Sequence, residues 1–414
     1  MVIEPMIRSN MCVNAHPQGC AMDVKRQIEY VQKKRAERGT PKDAPKTVLV
    51  LGCSTGYGLA SRISAAFEFG AATIGVSFEK EGADEPRQKP GTPGWYNNMA
   101  FDKFAHEAGL EAVTFNGDAF SHEMRKNVID TLNKMGRKVD LLVYSVASSV
   151  RVDPDNGTLY RSVLKPIGET FSGATIDCMT GKISTISAEP ANEDEMANTV
   201  KVMGGEDWAL WIRQLKAAGV LAEGVKTVAY SYIGPALSHA IYRDGTIGGA
   251  KKHLEATARE LDAELQKELK GEAYVSVNKG LVTRSSAVIP IIPLYLSVLF
   301  KVMKEQGSHE GCIEQMERLM NERLYTGSAV PTDENHLIRI DDWELDPKVQ
   351  EEVNKRMATI TQENLAQVGD LEGYRHDFLA TNGFDIEGVD YSADVKSVET
   401  IYSVFYVVKL KRRG

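Results

Sequence analysis

An unbroken apolar run, Thr47-Val-Leu-Val-Leu51, ends directly on three glycines within seven residues, Gly52-Cys-Ser-Thr-Gly-Tyr-Gly58. The run lacks polar alternation, so it reads as a strand buried on both faces. Such strands belong to parallel sheets, in which a helix must carry the chain back to the starting edge. Helical periodicity duly follows from Leu59 to Phe69. The beat then repeats: a strand over Ala72–Phe78, a helix near Met99–Ala108, a strand over Glu111–Phe115, a helix over His122–Met135 and a strand over Val139–Ser145. Alternation at this rhythm predicts an α/β chain with a doubly wound parallel sheet.

The rest of the chain is arranged around that sheet. Residues 1–45 read as a polar lead-in packed on the main domain, with one amphipathic helix over Ala21–Ala36. The main domain is expected over 46–300. Within it, 151–224 breaks the rhythm and reads as an insertion: a polar loop, a short hairpin around Met179–Gly181, and helices over Glu193–Met203 and Asp207–Ala218. Order resumes with a strand over Val225–Ile233, a helix from about Ala250 to Leu269 and a strand over Ala273–Val277. Residues 301–414 are expected to form a mostly helical extension, not independent, with a polar hairpin or loop at 325–342. Its end, Ile401–Gly414, closes on KLKRRG, a solvated basic tail.

Composition excludes several classes. A net charge of −8 over 414 residues lacks the basic face of a nucleic-acid binder. The longest apolar stretch, Ala287–Phe300, is too short to span a bilayer. No signal peptide is visible, and five scattered cysteines fit a reducing cytoplasm. Cys12, His16 and Cys20 lie close together, but no second ligand cluster completes a metal site, and none is expected.

The glycine turn is where chemistry begins. Between a buried strand and a helix, glycines let the backbone approach a pyrophosphate, and the helix N-terminus supplies donors. A Rossmann-like dinucleotide site is expected there. Glu79 closes the second strand, where a carboxylate can hold both hydroxyls of an adenosine ribose and repel a 2′-phosphate, so NADH is expected over NADPH. Asp118 ends the third strand, where an adenine would be met, and Ser145-Val-Ala-Ser148 ends the fourth.

Further along, AYSYIGPALSHAIYRDGTIGGAKK carries Tyr232, Tyr242 and Lys251. A tyrosine beside a lysine is a proton-donor arrangement, because a cation stabilises the phenolate and brings a pKa of about 10 downward. On one straight helix, nine steps would put Tyr242 and Lys251 on opposite faces, so the chain between them cannot be regular helix. Gly245, Gly248 and Gly249 are expected to supply that freedom.

Taken together, GCSTGYG, SFE, GDAF, YSVAS, KVMGGEDW, AYSYIG, IYRDGTIGGAKK and VNKGLVT resemble the trans-2-enoyl-CoA reductase/enoyl-ACP reductase family, large enoyl reductases related to the short-chain dehydrogenases. HPQGC, GTPGWYNN and NGFDIEGVDY extend the likeness over nearly the whole chain, and Tyr-x8-Lys is its most specific feature. The resemblance implies reduction of an enoyl thioester, on CoA or acyl carrier protein, by NADH in a cytoplasmic monomer. It implies Tyr242 as proton donor, Lys251 on the nicotinamide ribose and Tyr232 at the thioester carbonyl. It makes Gly52, Cys53, Ser54, Thr55, Gly56, Tyr57, Gly58, Phe78, Glu79, Asp118, Ala119, Val146, Ala147, Leu281, Val282 and Thr283 the dinucleotide contacts. Cys53, standing where the family usually has alanine, would add a sulfur beside the phosphates. Both tyrosine hydroxyls would hydrogen-bond the enolate oxygen, and Lys251 would lower the Tyr242 pKa. Ala287–Phe300 is a candidate wall for the acyl chain, and Arg284 and Lys252 are candidate contacts for the carrier's phosphates. No flavin motif is seen, and FAD is not expected.

Two rivals share the fold. A ketoreductase would have a shorter Tyr–Lys interval and a serine about thirteen residues before the tyrosine, where this chain has Ala229. A non-catalytic NAD(H)-binding regulator would have no need of both tyrosines and the lysine.

Overall fold

The computed structural model describes residues 2–8, 10–83, 89–287, 289 and 291–396. The Ile401–Gly414 tail lies outside these. Among the described residues, seven strands form one parallel sheet: β1 (Thr47–Leu51), β2 (Ala72–Ser77), β3 (Ala112–Asn116), β4 (Val139–Tyr144), β5 (Leu221–Ser231), β6 (Glu272–Val277) and β7 (Leu337–Arg339). Their spatial order is β7-β6-β5-β4-β1-β2-β3. The chain runs outward from β1 to β3, then returns to lay β4 on the other side of β1. Loops leaving β1 and β4 therefore part from each other, and the crevice between them opens at the carboxyl edge of the sheet.

Both faces of β1 are covered, as its unbroken apolar run requires. Val48 and Val50 pack into one core with Val24, Ile28 and Phe101. Leu49 and Leu51 point the other way, onto Trp208, Trp211 and Leu261. The period of two along the strand thus serves two cores at once.

Several elements differ from the expectations. The first helix runs over Pro17–Arg38, with His16 as its N-cap accepting from the Gly19 amide, so His16 has a structural duty beside Cys12 and Cys20. The helix after the second strand spans Pro93–Glu107. Pro93 opens it, where a missing N–H costs nothing. The polar loop after β4 contains a hairpin, Val150–Val152 on Leu159–Arg161, whose three-residue strands are too short to show alternation. The hairpin around Met179–Gly181 pairs Phe171–Ile176 with Ile183–Ala188, and Asp177 accepts the Met179 and Thr180 amides in its turn.

The largest correction concerns 325–342, expected to be a hairpin or loop. It holds β7, which pairs in parallel with β6, Val275 opposite Leu337. A division at 300 therefore cuts through the sheet. Among the described residues no helix is long and apolar enough to cross a membrane.

Candidate active site

The glycine turn leads from β1 into helix α1 (Gly56–Ile63). Gly52 adopts φ +84°, and a Cβ there would overlap the Ser145 carbonyl at the end of β4. A Cβ on Gly58 would overlap the Gly52 carbonyl, so α1 can close on the turn only without a side chain. Gly56, at φ +53°, stands with its Cβ position 3.4 Å from Thr283 Cγ2. The turn, the end of β4 and the loop after β6 (Leu281, Val282, Thr283) thus converge. Thr55 begins α1 without a side-chain cap, leaving the first-turn amides free of one.

Cys53 has its sulfur, expected beside the phosphates, in the hydrophobic core. Its side chain is buried, 3.7 Å from Asn98 Oδ1, and faces β2. Only its backbone belongs to the turn. Tyr57 reaches across the crevice and donates its hydroxyl to the Lys279 carbonyl.

At the end of β2, Phe78 is 79% exposed, a ring free to cover a planar group. The neighbouring Glu79 is already engaged. It accepts from Ser54 Oγ at 2.6 Å and Thr92 Oγ1 at 2.5 Å, and Arg284 lies 3.6 Å away. Arg284, expected near a carrier phosphate, is thereby tied to Glu79 at the end of β2. Asp118 caps its own turn through the Phe120 amide, and the Ala119 carbonyl accepts from the Trp211 indole. Val146 is half-buried and Ala147 exposed beside them.

Across the crevice, Tyr232 leaves β5 and Tyr242 precedes helix α2 (Thr246–Leu269). Their rings meet edge to face with centroids 5.2 Å apart. Tyr242 sits in a turn, its amide bonded to the Ser238 carbonyl at 2.9 Å. Gly245 and Gly248 bring that turn onto α2 by close approach rather than by unusual φ: a Cβ on Gly248 would overlap the Arg243 carbonyl. Gly249 has open space around it and contributes no such contact. Lys251, one turn into α2, donates to the Tyr230 carbonyl at 3.0 Å.

The electrostatics reverse one expectation. Burial pushes Tyr242 up to about 12 and, against help from Glu255, pushes Lys251 down to about 8. Lys251 does not lower the Tyr242 pKa here; desolvation is the larger effect. Nearby, the His239 ring contacts the Gly234 carbonyl at 3.1 Å.

Three family models cover the chain in succession. Residues 2–84 match the NAD(P)H binding domain of trans-2-enoyl-CoA reductase, 89–325 its catalytic region, and 332–395 the enoyl reductase FAD binding domain. A trans-2-enoyl-CoA reductase [NADH] of Treponema denticola is 60% identical over 97% of this chain and 100% of its own length. An enoyl-[acyl-carrier-protein] reductase [NADH] of Flavobacterium johnsoniae is 55% identical over 98% of this chain and 100% of its own. The crystal structure of the Treponema denticola enzyme in complex with NAD superposes with a TM-score of 0.92, at 59% identity, covering 96% of this chain and 98% of that one. The chain belongs to the trans-2-enoyl-CoA reductase family.

Membership of an enoyl reductase family raises the question of a flavin. Residues 332–395 supply β7 and the helices Pro347–Thr359, Leu365–Val368 and Leu371–Ala380. Val349, Val353, Tyr374 and Phe378 sink into the core shared with Leu296 and Phe300. The passage from β7 to the next helix, 340–346, contains no glycine. It lacks the glycine turn that Gly52–Gly58 forms after β1. The segment's helices form a wall behind Leu281, Val282 and Tyr232.

That wall holds what sequence reasoning missed. Helix α3 (Ile292–Gln306) starts inside the expected acyl wall, but Leu294–Phe300 is wholly buried. From it Tyr295 donates at 2.8 Å to Glu344, a fully buried carboxylate that also accepts from Tyr232 at 3.1 Å and the Gly280 amide at 2.6 Å. No local pattern marks Glu344, which lies 112 residues from Tyr232. Among the described residues no group of three or more His, Cys, Asp or Glu side chains can hold a metal ion.

Proposed function

We propose that this chain reduces the 2,3-trans double bond of enoyl thioesters with NADH, on CoA or acyl carrier protein. The observation that carries the reading is the edge-to-face pair of half-buried Tyr232 and buried Tyr242, followed by Lys251 one turn into α2. NADH bound there supplies hydride to the β-carbon of the thioester. The chain's own residues deal with the charge and the proton. As the double bond's electron pair moves onto the thioester oxygen, Tyr242 donates a hydrogen bond where the charge develops. Its proton then completes the reduction at the α-carbon, directly or through solvent, and solvent restores the phenol. A pKa near 12 keeps the phenol protonated at neutral pH, so the donor is always loaded.

Gly52–Gly58 and the first amides of α1 would hold the pyrophosphate, Leu281–Thr283 and Val146–Ala147 the nicotinamide half, and Phe78, Asp118 and Ala119 the adenosine. Glu79 disfavours a 2′-phosphate by charge, with Arg284 softening that preference. Five free cysteines accord with a cytoplasmic chain, and we read it as a monomer.

Purified protein should oxidise NADH in the presence of crotonyl-CoA, and do so faster than it oxidises NADPH. A protein that binds NADH but reduces neither crotonyl-CoA nor longer enoyl thioesters on either carrier would overturn the reading in favour of a regulator.

Lys251 offers a pH test. Held near 8 by burial, it is a cation below that value and neutral above it. NADH affinity should therefore weaken as pH rises through about 8. Lys251→Met should bind NADH about 10- to 100-fold more weakly at pH 7, the worth of one charged hydrogen bond, and lose that pH dependence. A variant that keeps the slope would assign it to another group.

A further inference from the structure

Glu344 is a buried carboxylate bonded to Tyr232 that the reaction as described does not use. It is fully buried, so its charge is costly unless hydrogen-bonded. One oxygen accepts from both Tyr232 and Tyr295, and the other from the Gly280 amide. Gln350 Nε2 fastens its backbone carbonyl at 2.7 Å and also reaches the Tyr295 hydroxyl at 3.1 Å.

A phenol carries one proton. The Tyr232 hydroxyl gives that proton to Glu344, leaving only lone pairs to offer elsewhere. Its ring has little freedom to turn away. A Cβ on Gly234 would lie 2.8 Å from the Tyr232 hydroxyl and a Cβ on Gly280 3.1 Å from it, so the ring occupies space that only glycines leave open. Tyr242 rests against the edge or face of that same ring. Resting on the reductase reading above, we propose that Glu344 is a positioning residue: it captures the Tyr232 hydroxyl proton, fixes the ring that orients Tyr242, and leaves Tyr242 as the sole tyrosine donor to the thioester oxygen.

The charges around the carboxylate support this assignment. Burial raises the Glu344 pKa, while the Gly280 amide, the Tyr295 hydroxyl and Lys279 pull it back and Asp341 adds to the rise. Lys279 is itself buried, with its ammonium 3.3 Å from the Glu310 carbonyl. A negative charge on Glu344 in turn pushes the Tyr232 and Tyr295 hydroxyls further up, keeping both protonated.

Glu344→Gln tests the idea without changing the size of the side chain. The Gly280 amide requires an acceptor, so the new amide oxygen turns to it and the new NH2 faces the tyrosines. Tyr232 then becomes an acceptor and its O–H is released from the wall. The readout is a double-mutant cycle on kcat with crotonyl-CoA, using Glu344→Gln, Tyr232→Phe and the double variant. Glu344→Gln should lower kcat at least tenfold with the NADH dissociation constant unchanged, and should cost less than twofold more in the Tyr232→Phe background. A carboxylate that merely supports the fold would cost the same in both backgrounds, and that result would overturn the proposal while leaving the reductase reading intact. Wild-type protein with no turnover would overturn both. Should Glu344→Gln not fold, Tyr295→Phe replaces it in the cycle: it removes the competing donor from the shared oxygen, and its effect on kcat should likewise vanish in the Tyr232→Phe background. An effect that persists there rejects the proposal.

Discussion

Tyr242→Phe should lower kcat by about 10²- to 10⁴-fold, the range for loss of a positioned proton donor, while NADH still binds. Such a loss corresponds to about 3–5 kcal/mol of transition-state stabilisation. The ring is 9% exposed and packs edge to face on Tyr232, so phenylalanine keeps the packing and removes only the hydroxyl. Stability should change little, since only the hydroxyl is lost and the ring's packing on Tyr232 stays. The pH profile supplies a second check. A donor is active in its protonated form, below its pKa. With that pKa near 12, wild-type kcat should show no decline assignable to Tyr242 between pH 6 and 10. Loss of activity centred near neutrality and abolished by the substitution would mean that a cation does lower this pKa once the crevice is filled. Retention of most of kcat by the variant would move the donor's role elsewhere, and the ketoreductase and enoyl reductase readings would both need another acid.

The contrast between these electrostatics and the local pattern shows what was legible in the chain. Tyr232, Tyr242 and Lys251 stand out as residue types at a distinctive interval. Their pKa directions do not, because desolvation is set by the packing of α2 and the wall behind it, which a local stretch does not contain. Elements with their own signals were plain. The helix over His122–Met135 has Ser121 accepting the Met124 amide at one end and Gly136 in the left-handed region at the other. The helix over Glu193–Met203 opens with a capping box between Asn192 and Glu195. Strand β7 has neither signal nor length: three residues become a strand only because β6 offers them an edge. Glu344 is the same case in the site. Its role exists only once Tyr232, Tyr295 and Gly280 have been brought around it by the fold.

Gly58→Ala should abolish measurable NADH binding, and the reason separates glycines that matter from those that do not. The added Cβ would overlap the Gly52 carbonyl and lie 3.3 Å from the Ser145 side chain, so neither neighbour can yield without moving the backbone. Helix α1 must then lift away from the turn, and its first amides leave the place where a pyrophosphate would sit. Overpacking of this kind costs about 1–3 kcal/mol in stability. The loss in binding should be larger than that, at least 100-fold or about 2.7 kcal/mol, because the whole donor set shifts together. Gly249→Ala is the control. It is helical, with nothing within 4 Å of the new Cβ, and should bind NADH normally. Its stability should stay the same or rise by up to about 1 kcal/mol, the helix preference of alanine over glycine. Titrating NADH fluorescence against both variants, with thermal melts alongside, decides the matter. Equal affinities in the two would show that α1 does not need to close on Gly52, and the pyrophosphate would have to be held elsewhere along the crevice.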